Sequence, residues 1–178
     1  MKALEHNNDT SLYVPHYRAR SLQDVDFNLL AGKGVKYIAF DADSTLVPYR
    51  GKTISEETRH YLMSIRPLFQ GWCIASNRIT NDLGPMPESI NAHVIRARGT
   101  VRKPQTKFFK RVTDYFKDAD PQQIVMIGDK LLADIYGANR AGFITVWVEH
   151  LGQDGPLDRL FFVREMEKRI LERYYTAQ

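Results

Sequence analysis

Short apolar runs that each end on a polar residue constrain the fold of this chain more than any other feature. The clearest run, Val35–Phe40, is rich in β-forming residues and stops at Asp41. Similar runs cover residues 71–75, 93–95, 124–127 and 144–148, and helical patterns cover residues 21–34, 55–69, 105–117 and 131–141. Strands that alternate with helices of this length are typical of parallel β-α units. We therefore predict an α/β fold with a doubly wound parallel sheet flanked by helices.

The length and composition indicate a single ordinary globular domain. The chain has 178 residues, of which 43% are hydrophobic and 26% are charged, with a mean hydropathy of −0.40. These values argue against disordered, collagen-like and membrane-spanning classes. We expect one domain over residues 1–178, with an N-terminal lead-in over residues 1–34 and a C-terminal helix over residues 156–178.

The N-terminus and the single cysteine favour an intracellular protein. Residues 1–10 are polar and lack the apolar segment of a signal peptide. Cys73 lies inside an apolar run, so we expect it in the core, and one cysteine cannot form an internal disulfide. We predict a cytoplasmic location and leave peripheral contact with a membrane open.

The basic residues are concentrated in one part of the chain. The net charge is +4 and the sequence pI is about 9.2. Between Glu88 and Asp114 there is no acidic residue, and the basic residues are Arg96, Arg98, Arg102, Lys103, Lys107, Lys110 and Arg111. This stretch predicts a positive face and favours an anionic partner. The sequence leaves a homo-oligomer open.

Two groups of acidic residues follow predicted strands. Asp41 and Asp43 lie in the run D-A-D-S-T-L, and Asp129 and Asp134 lie in the run G-D-K-L-L-A-D. Such residues also favour turns and helix caps, which is the structural alternative. Two such runs that each follow a strand rarely arise together by chance, and ligands bind at the carboxyl ends of parallel strands. We therefore predict a site at this edge, with Ser76 after a further strand.

These runs, with Ser76 and with Lys103 before Pro104, resemble the four motifs of haloacid dehalogenase-type phosphatases and occur in the same order. Further similarity to subfamily IIIA, and within it to the YqeG-type branch, lies in residues 12–15, 24–26, 76–77, 102–104 and 137–142. This branch is similar to mitochondrial phosphatidylglycerophosphate phosphatases. The chain departs from the usual pattern at Ala42, Ser44 and Lys130, and none of these departures removes a catalytic group.

The resemblance implies a Rossmannoid core and a division of work among the motif residues. Asp41 would be the nucleophile that forms an aspartyl-phosphate, and Asp43 would be the general acid and base. Lys103 would neutralise the negative charge of Asp41 and the phosphate. Ser76 and Asn77 would bind phosphate oxygens. The predicted cofactor is Mg²⁺, with ligands from Asp41, the backbone carbonyl of Asp43, Asp129 and, directly or through water, Asp134.

The spacing of the motifs leaves no room for a large cap domain. The intervals from Asp43 to Ser76 and from Ser76 to Lys103 are each shorter than a domain. Within the resemblance, an open site implies a bulky phosphorylated substrate, with phosphatidylglycerophosphate at an anionic membrane surface as the leading candidate. The alternatives are a polynucleotide or phosphoprotein phosphatase and a phospho-accepting module without turnover. Residues 89–107 contain no aromatic residue for base stacking, so nucleic acid is less favoured.

Overall fold

The computed structural model describes residues 10–79, 82–117 and 119–152, together with residues 165, 167, 169, 170 and 172. The strands are β1 (Tyr17–Ala19), β2 (Tyr37–Phe40), β3 (Gly71–Ser76), β4 (His93–Arg96), β5 (Ile124–Gly128) and β6 (Ile144–Val148). The α-helices are α1 (Phe27–Gly32), α2 (Glu56–Ile65), α3 (Met86–Ser89), α4 (Thr106–Tyr115) and α5 (Gly137–Arg140). Short 3₁₀ turns cover Thr10–Tyr13, Leu22–Asp24, Arg66–Leu68 and Pro121–Gln123, and a π-helical segment covers Leu131–Tyr136.

The six strands form one sheet in the order β1-β6-β5-β2-β3-β4, and all neighbouring pairs are parallel. From β2 the chain adds β3 and β4 on one side and then returns to add β5 and β6 on the other. The direction of winding therefore changes between β2 and β5, where α/β sheets bind their ligands. The predicted doubly wound parallel sheet is confirmed.

Both faces of the sheet are buried. Successive strand residues point to opposite faces, and helices pack against each face. Ile38 and Phe40 pack into one hydrophobic cluster with residues of α1 and α2, whereas Ala39 packs into the other with residues of α4. Cys73 is buried in this second cluster, as expected. Strands buried on both faces read as continuous apolar runs, which explains why the sequence pattern was so clear.

The N-terminal stretch is more structured than a lead-in. Strand β1 lies within it and pairs with β6 at the edge of the sheet. The helix predicted over residues 21–34 is wrong in its first part, because α1 begins only at Phe27, where the Asp26 carboxylate accepts a hydrogen bond from the Leu29 amide at 2.8 Å. Ser21 and Asp24 do pair, through a 2.7 Å hydrogen bond, but they flank a separate 3₁₀ turn.

The predicted C-terminal helix lies mostly outside the described residues. The described members, residues 165, 167, 169, 170 and 172, are helical. Ile170 packs against Leu131 and Ile135, and Glu167 accepts a hydrogen bond from the Leu131 amide at 2.6 Å. Within the described part of the chain, no helix has the length and apolar character needed to cross a bilayer.

The connections at the carboxyl edge are short in the described residues. Helix α2 and a 3₁₀ turn fill the connection from β2 to β3, and α3 is the helix between β3 and β4. Neither connection holds a cap domain in the part of the chain that the structure describes, as the motif spacing predicted. Among the described residues, neither of these two connections covers the carboxyl edge beside β2 and β5.

Candidate active site

Three buried carboxylates meet at the switch point of the sheet. Asp41 follows β2, and its amide donates to the Ile127 carbonyl of β5 at 2.8 Å, which continues the ladder between the two strands. Asp129 follows β5, and Asp134 lies in the π-helical segment. One oxygen from each of these carboxylates lies within 4.8 Å of the others. The topology thus brings together the acidic residues of both predicted motifs.

Lys103 reaches this cluster from the connection between β4 and α4. Its Nζ donates to Asp41 Oδ1 and to Asp134 Oδ1, each at 2.6 Å, and the side chain is buried. Asn77 fixes the backbone of Lys103, because its side-chain amide accepts from the Lys103 amide at 2.8 Å and donates to the Lys103 carbonyl at 3.1 Å. Lys103 is therefore a fixed internal cation.

The cluster holds three carboxylates and one buried cation, and the pKa values of Asp41 and Asp134 are raised. Burial, together with the neighbouring charges of Asp134 and Asp129, raises the pKa of Asp41 to about 8, although Lys103 opposes the rise. Burial likewise raises the pKa of Asp134. Burial disfavours the charged form of Lys103, but Asp134 and Asp41 raise its pKa above the ordinary value. A further positive charge would therefore stabilise the ionised form of these carboxylates.

The loop after Asp41 turns back on itself and positions Asp43. The Ser44 amide donates to the Val47 carbonyl at 2.6 Å, and Ser44 itself has a positive φ of 65°. The Asp43 carboxylate accepts hydrogen bonds from the Arg50 amide at 2.6 Å and from Arg78 Nε and Nη2 at 2.8 and 2.5 Å. Partial burial acts to raise the pKa of Asp43, but the bonds from Arg78 and Arg50 hold it below the ordinary value.

Arg78 is a site residue that the motifs did not reveal. Besides its two bonds to Asp43, its guanidinium donates to the Gly51 carbonyl at 2.9 Å and to the Asp82 carbonyl at 3.2 Å. It therefore joins the loop after β2 to the loop after β3. The sequence feature that could have indicated Arg78 is its position two residues after Ser76, in the loop that begins at that motif residue.

Ser76 and Asn77 lie beside the cluster and have partners in the protein. Ser76 is buried at the end of β3, where its Oγ accepts a hydrogen bond from the Arg78 amide at 3.1 Å. The Asn77 side chain lines the cavity, but its amide group binds the backbone of Lys103. The Nδ2 donor that was predicted to face phosphate is thus used to position Lys103.

Two residues at the end of β6 hold Asp129. Trp147 Nε1 donates to the Asp129 carbonyl at 2.8 Å, and His150 Nδ1 lies 2.9 Å from Asp129 Oδ2 in a hydrogen bond. The histidines showed no metal-ligand spacing in the sequence, and the site role of His150 arises only because β5 and β6 are neighbours. Gly128 is also required here, because a Cβ at this position would lie 2.5 Å from the Asp134 carboxyl carbon.

An open cavity of about 800 Å³ leads to the cluster. Its lining residues are Asp41, Asp43, Tyr49, Arg50, Lys52, Asn77, Arg78, Ile79, Asp82, Arg102, Lys103, Lys130, Ala133 and Asp134. Six of these side chains are basic and four are acidic, so two formal positive charges are in excess. A phosphate group that enters the cavity therefore meets a positive wall.

The basic residues of the acid-free stretch differ in burial and in their partners. Lys103 points into the protein, and the Lys110 ammonium pairs with Asp114 at 2.7 Å. Arg111 donates to the Arg96 carbonyl at 2.6 Å and lies over the Phe108 ring. Only part of the stretch, including exposed Arg98 and Lys107, faces solvent. Lys107, Lys110 and Arg111 are spaced at i, i+3 and i+4, so α4 carries them on one side of its axis. The positive face stays a prediction, and buried Lys103 is not part of it.

The three carboxylates fit a hard divalent cation. Mg²⁺ prefers oxygen ligands and keeps several waters, so a partial set of carboxylates at an open cavity suits it. Asp41 and Asp129 border the switch point directly, and Asp134 is held by Lys103 and by the Lys130 amide at 3.1 Å. Asp41 and Asp129, with Asp134 beside them, are therefore the residues that could hold such an ion.

The fold is shared with solved structures. An uncharacterized protein from Listeria monocytogenes serotype 4b superimposes with a TM-score of 0.55 and 21% sequence identity, over 68% of this chain and 84% of that chain. At this identity the similarity shows the fold alone. It agrees with the single parallel sheet described above.

Family and relatives identify the chain more closely. The family described as mitochondrial PGP phosphatase matches residues 3–151. Phosphatidylglycerophosphate phosphatase 1, chloroplastic/mitochondrial, of Arabidopsis thaliana is 28% identical over 93% of this chain and 49% of its own length. The probable phosphatase YqeG of Bacillus subtilis is 27% identical over 89% of this chain and 90% of its own length.

This chain belongs to the mitochondrial PGP phosphatase family. The resemblance to haloacid dehalogenase-type phosphatases of the YqeG-type branch is thereby confirmed. The chain spans about half the length of the Arabidopsis relative and most of the length of the Bacillus relative.

Proposed function

We propose that this protein hydrolyses phosphomonoesters with Mg²⁺ through an aspartyl-phosphate on Asp41. The observation that carries the proposal is the buried arrangement of Lys103 Nζ, 2.6 Å from both Asp41 and Asp134, with Asp129 in the same cluster. A buried acidic cluster with one internal cation at a positive cavity is suited to a phosphoryl group. Neither packing nor helix capping accounts for all of these groups together.

In the first step Asp41 attacks phosphorus. A bond forms between a carboxylate oxygen of Asp41 and phosphorus, and the ester P–O bond breaks, so the leaving oxygen needs a proton. In the second step water attacks the aspartyl-phosphate, gives up a proton and releases inorganic phosphate, which restores Asp41. Lys103 would stabilise the negative charge shared by Asp41 and the phosphoryl oxygens, and Ser76 would help to orient them.

Asp43 is the residue that we assign to proton transfer. With Arg78 and the Arg50 amide bound to it, Asp43 is held as a carboxylate that can accept a proton from the attacking water. To donate a proton to the leaving oxygen in the first step, Asp43 must first take one up from solvent, which requires its pair with Arg78 to loosen. The proton that it then accepts from the attacking water restores its protonated form. When Mg²⁺ is bound by Asp41 and Asp129, with the Asp43 carbonyl and Asp134 as further predicted ligands, it supplies charge neutralisation and orientation of the phosphate.

The substrate that we favour is a phospholipid monoester such as phosphatidylglycerophosphate. The named activity of the Arabidopsis relative supports this choice, and so does the open cavity, which has no cap in the described connections. We further propose that residues 1–178 act as one cytoplasmic domain that meets this substrate at a membrane surface. Polynucleotides and phosphoproteins are the competing bulky substrates.

The test is a substrate screen with the purified chain in Mg²⁺. Phosphatidylglycerophosphate, phosphosugars, nucleotides and phosphopeptides are offered at matched concentrations, with phosphate release as the measurement and the Asp41→Asn variant as the control for contaminating activity. We expect release that needs Mg²⁺ and Asp41 and that is fastest with the lipid. Phosphorylation of the protein without phosphate release would instead indicate a non-turnover module and would contradict the proposal.

A further inference from the structure

Exposed apolar side chains collect around the mouth of the cavity. Among the described residues, eight large hydrophobic side chains are exposed. Four of these lie in connections that leave the carboxyl ends of strands. They are Tyr49 after β2, Ile79 after β3, Leu132 after β5 and Leu151 after β6. The carboxyl ends of parallel strands share one edge of the sheet, so four separate loops present apolar groups on the same side of the molecule.

The contacts around the mouth agree with this topology. Tyr49 and Ile79 line the cavity, and Ile79 is 69% exposed. Leu132 is 49% exposed and is the neighbour of Ala133, which also lines the cavity. Leu151 is 44% exposed, and its amide donates to the Ser44 carbonyl at 2.9 Å, beside the catalytic loop. We call Tyr49, Ile79, Leu132 and Leu151 the mouth residues.

Basic side chains lie beside the mouth residues and in the cavity wall. Arg50 lies over the ring of its neighbour Tyr49, with 5.6 Å from the guanidinium carbon to the ring centroid. Each acidic group that lines the cavity has a basic partner, because Lys103 pairs with both Asp41 and Asp134, Arg78 pairs with Asp43, and Lys52 pairs with Asp82. Arg50 and Arg102 also line the cavity and add positive charge to its wall.

We propose that the mouth residues and the cations between them dock the protein onto an anionic lipid bilayer. Apolar side chains can enter the boundary between headgroups and acyl chains, while arginine and lysine attract the anionic headgroups. A soluble anionic substrate would need only the cations. The proposal rests on the proposed phosphatase function, because docking would place the cavity over lipid headgroups.

The chain offers a matched control for this surface. Met63 and Leu68 are 41% and 40% exposed, but α2 and the turn after it carry them toward the start of β3, at the opposite edge of the sheet. A Met63→Ser/Leu68→Ser variant therefore removes similar exposed apolar area far from the mouth. Leu132→Ser/Leu151→Ser removes it at the mouth without altering a residue that lines the cavity.

The experiment measures sedimentation of the full chain with phosphatidylcholine vesicles prepared with or without phosphatidylglycerol, neither of which is a phosphomonoester. We expect binding only to the anionic vesicles, weaker binding at high salt, and a loss of about tenfold in Leu132→Ser/Leu151→Ser. The control variant should bind as the wild type does. All three proteins should hydrolyse a soluble phosphomonoester at the same rate, which separates docking from catalysis.

Several results would overturn the docking proposal. One is an equal loss of vesicle binding in the mouth variant and in the control variant. Another is a loss of vesicle binding only when Arg98, Lys107 and Arg111 are replaced by glutamine. A third is a wild-type protein that binds only neutral vesicles, or that binds no vesicles at all. If ultracentrifugation shows a dimer that Leu132→Ser/Leu151→Ser dissociates while vesicle binding persists, the mouth residues contact a second copy and the proposal is wrong. Absence of turnover with normal vesicle binding would instead refute the proposed function and leave docking supported.

Discussion

Replacement of Lys103 by methionine tests the electrostatics of the acidic cluster. Methionine has a similar length and keeps much of the packing, but it removes the cation that lies 2.6 Å from both Asp41 and Asp134. Removal of one partner from a buried ion pair typically costs about 3–5 kcal/mol, because the remaining charges lose their compensation. We expect a loss of this size in the free energy of unfolding at about pH 8 without metal.

The pH dependence follows from the direction of the carboxylate shifts. The folded pKa of Asp41 is about 8, whereas its ordinary value is 3.8, so folded protein holds a proton there that unfolded protein releases. Stability from this group is therefore greatest at low pH and falls as pH rises toward about 8. Without Lys103 the pKa values of Asp41 and Asp134 rise further. The loss in Lys103→Met should thus be smaller at about pH 5 than at pH 8, because protonated carboxyl groups at pH 5 do not need the cation.

The measurement is urea unfolding followed by circular dichroism at both pH values in the presence of a chelator. Lys110→Met is the matched control, because Lys110 forms an exposed pair with Asp114 at 2.7 Å. Its effect should stay within about 0.5 kcal/mol at either pH. A loss in Lys103→Met below about 1 kcal/mol, or one that is equal at both pH values, would refute the reasoning.

Four further outcomes are expected. Asp41→Asn should reduce Mg²⁺-dependent turnover by more than about a hundredfold, and a rate within about tenfold of wild type would rule out the nucleophile. Asp43→Asn should lower kcat by about 10²–10⁴ and keep Mg²⁺ affinity, and normal turnover with lost affinity would reverse the assignment. His150→Ala should weaken Mg²⁺ binding about tenfold by calorimetry, because Asp129 loses its orienting partner. Calorimetry in two buffers should detect up to about one proton released per Mg²⁺ at pH 6 and almost none well above pH 8, since Asp41 must ionise to bind the ion.

The sequence was sufficient to predict the sheet and the edge at which the acidic residues meet. Runs such as Val35–Phe40 are buried on both faces, so their apolar character is local and visible without a structure. Parallel strands must bring their carboxyl ends to one edge, so Asp41 and Asp129 were predictable neighbours. Boundaries were less predictable in the N-terminal stretch, where β1 is only partly buried and α1 begins at Phe27 instead of near Ser21.

Tertiary packing alone decided which partner each charged group has. Apart from the resemblance that Lys103 and Pro104 carry, nothing local distinguishes Lys103, which points into the acidic cluster, from Lys107, which faces solvent. The pair between Arg78 and Asp43 and the contact between His150 and Asp129 join loops that are distant in sequence. Such pairs depend on strand order and on the directions that side chains take from the sheet edge. The sequence determined which chemical groups are present at the site, and the fold determined which of them touch.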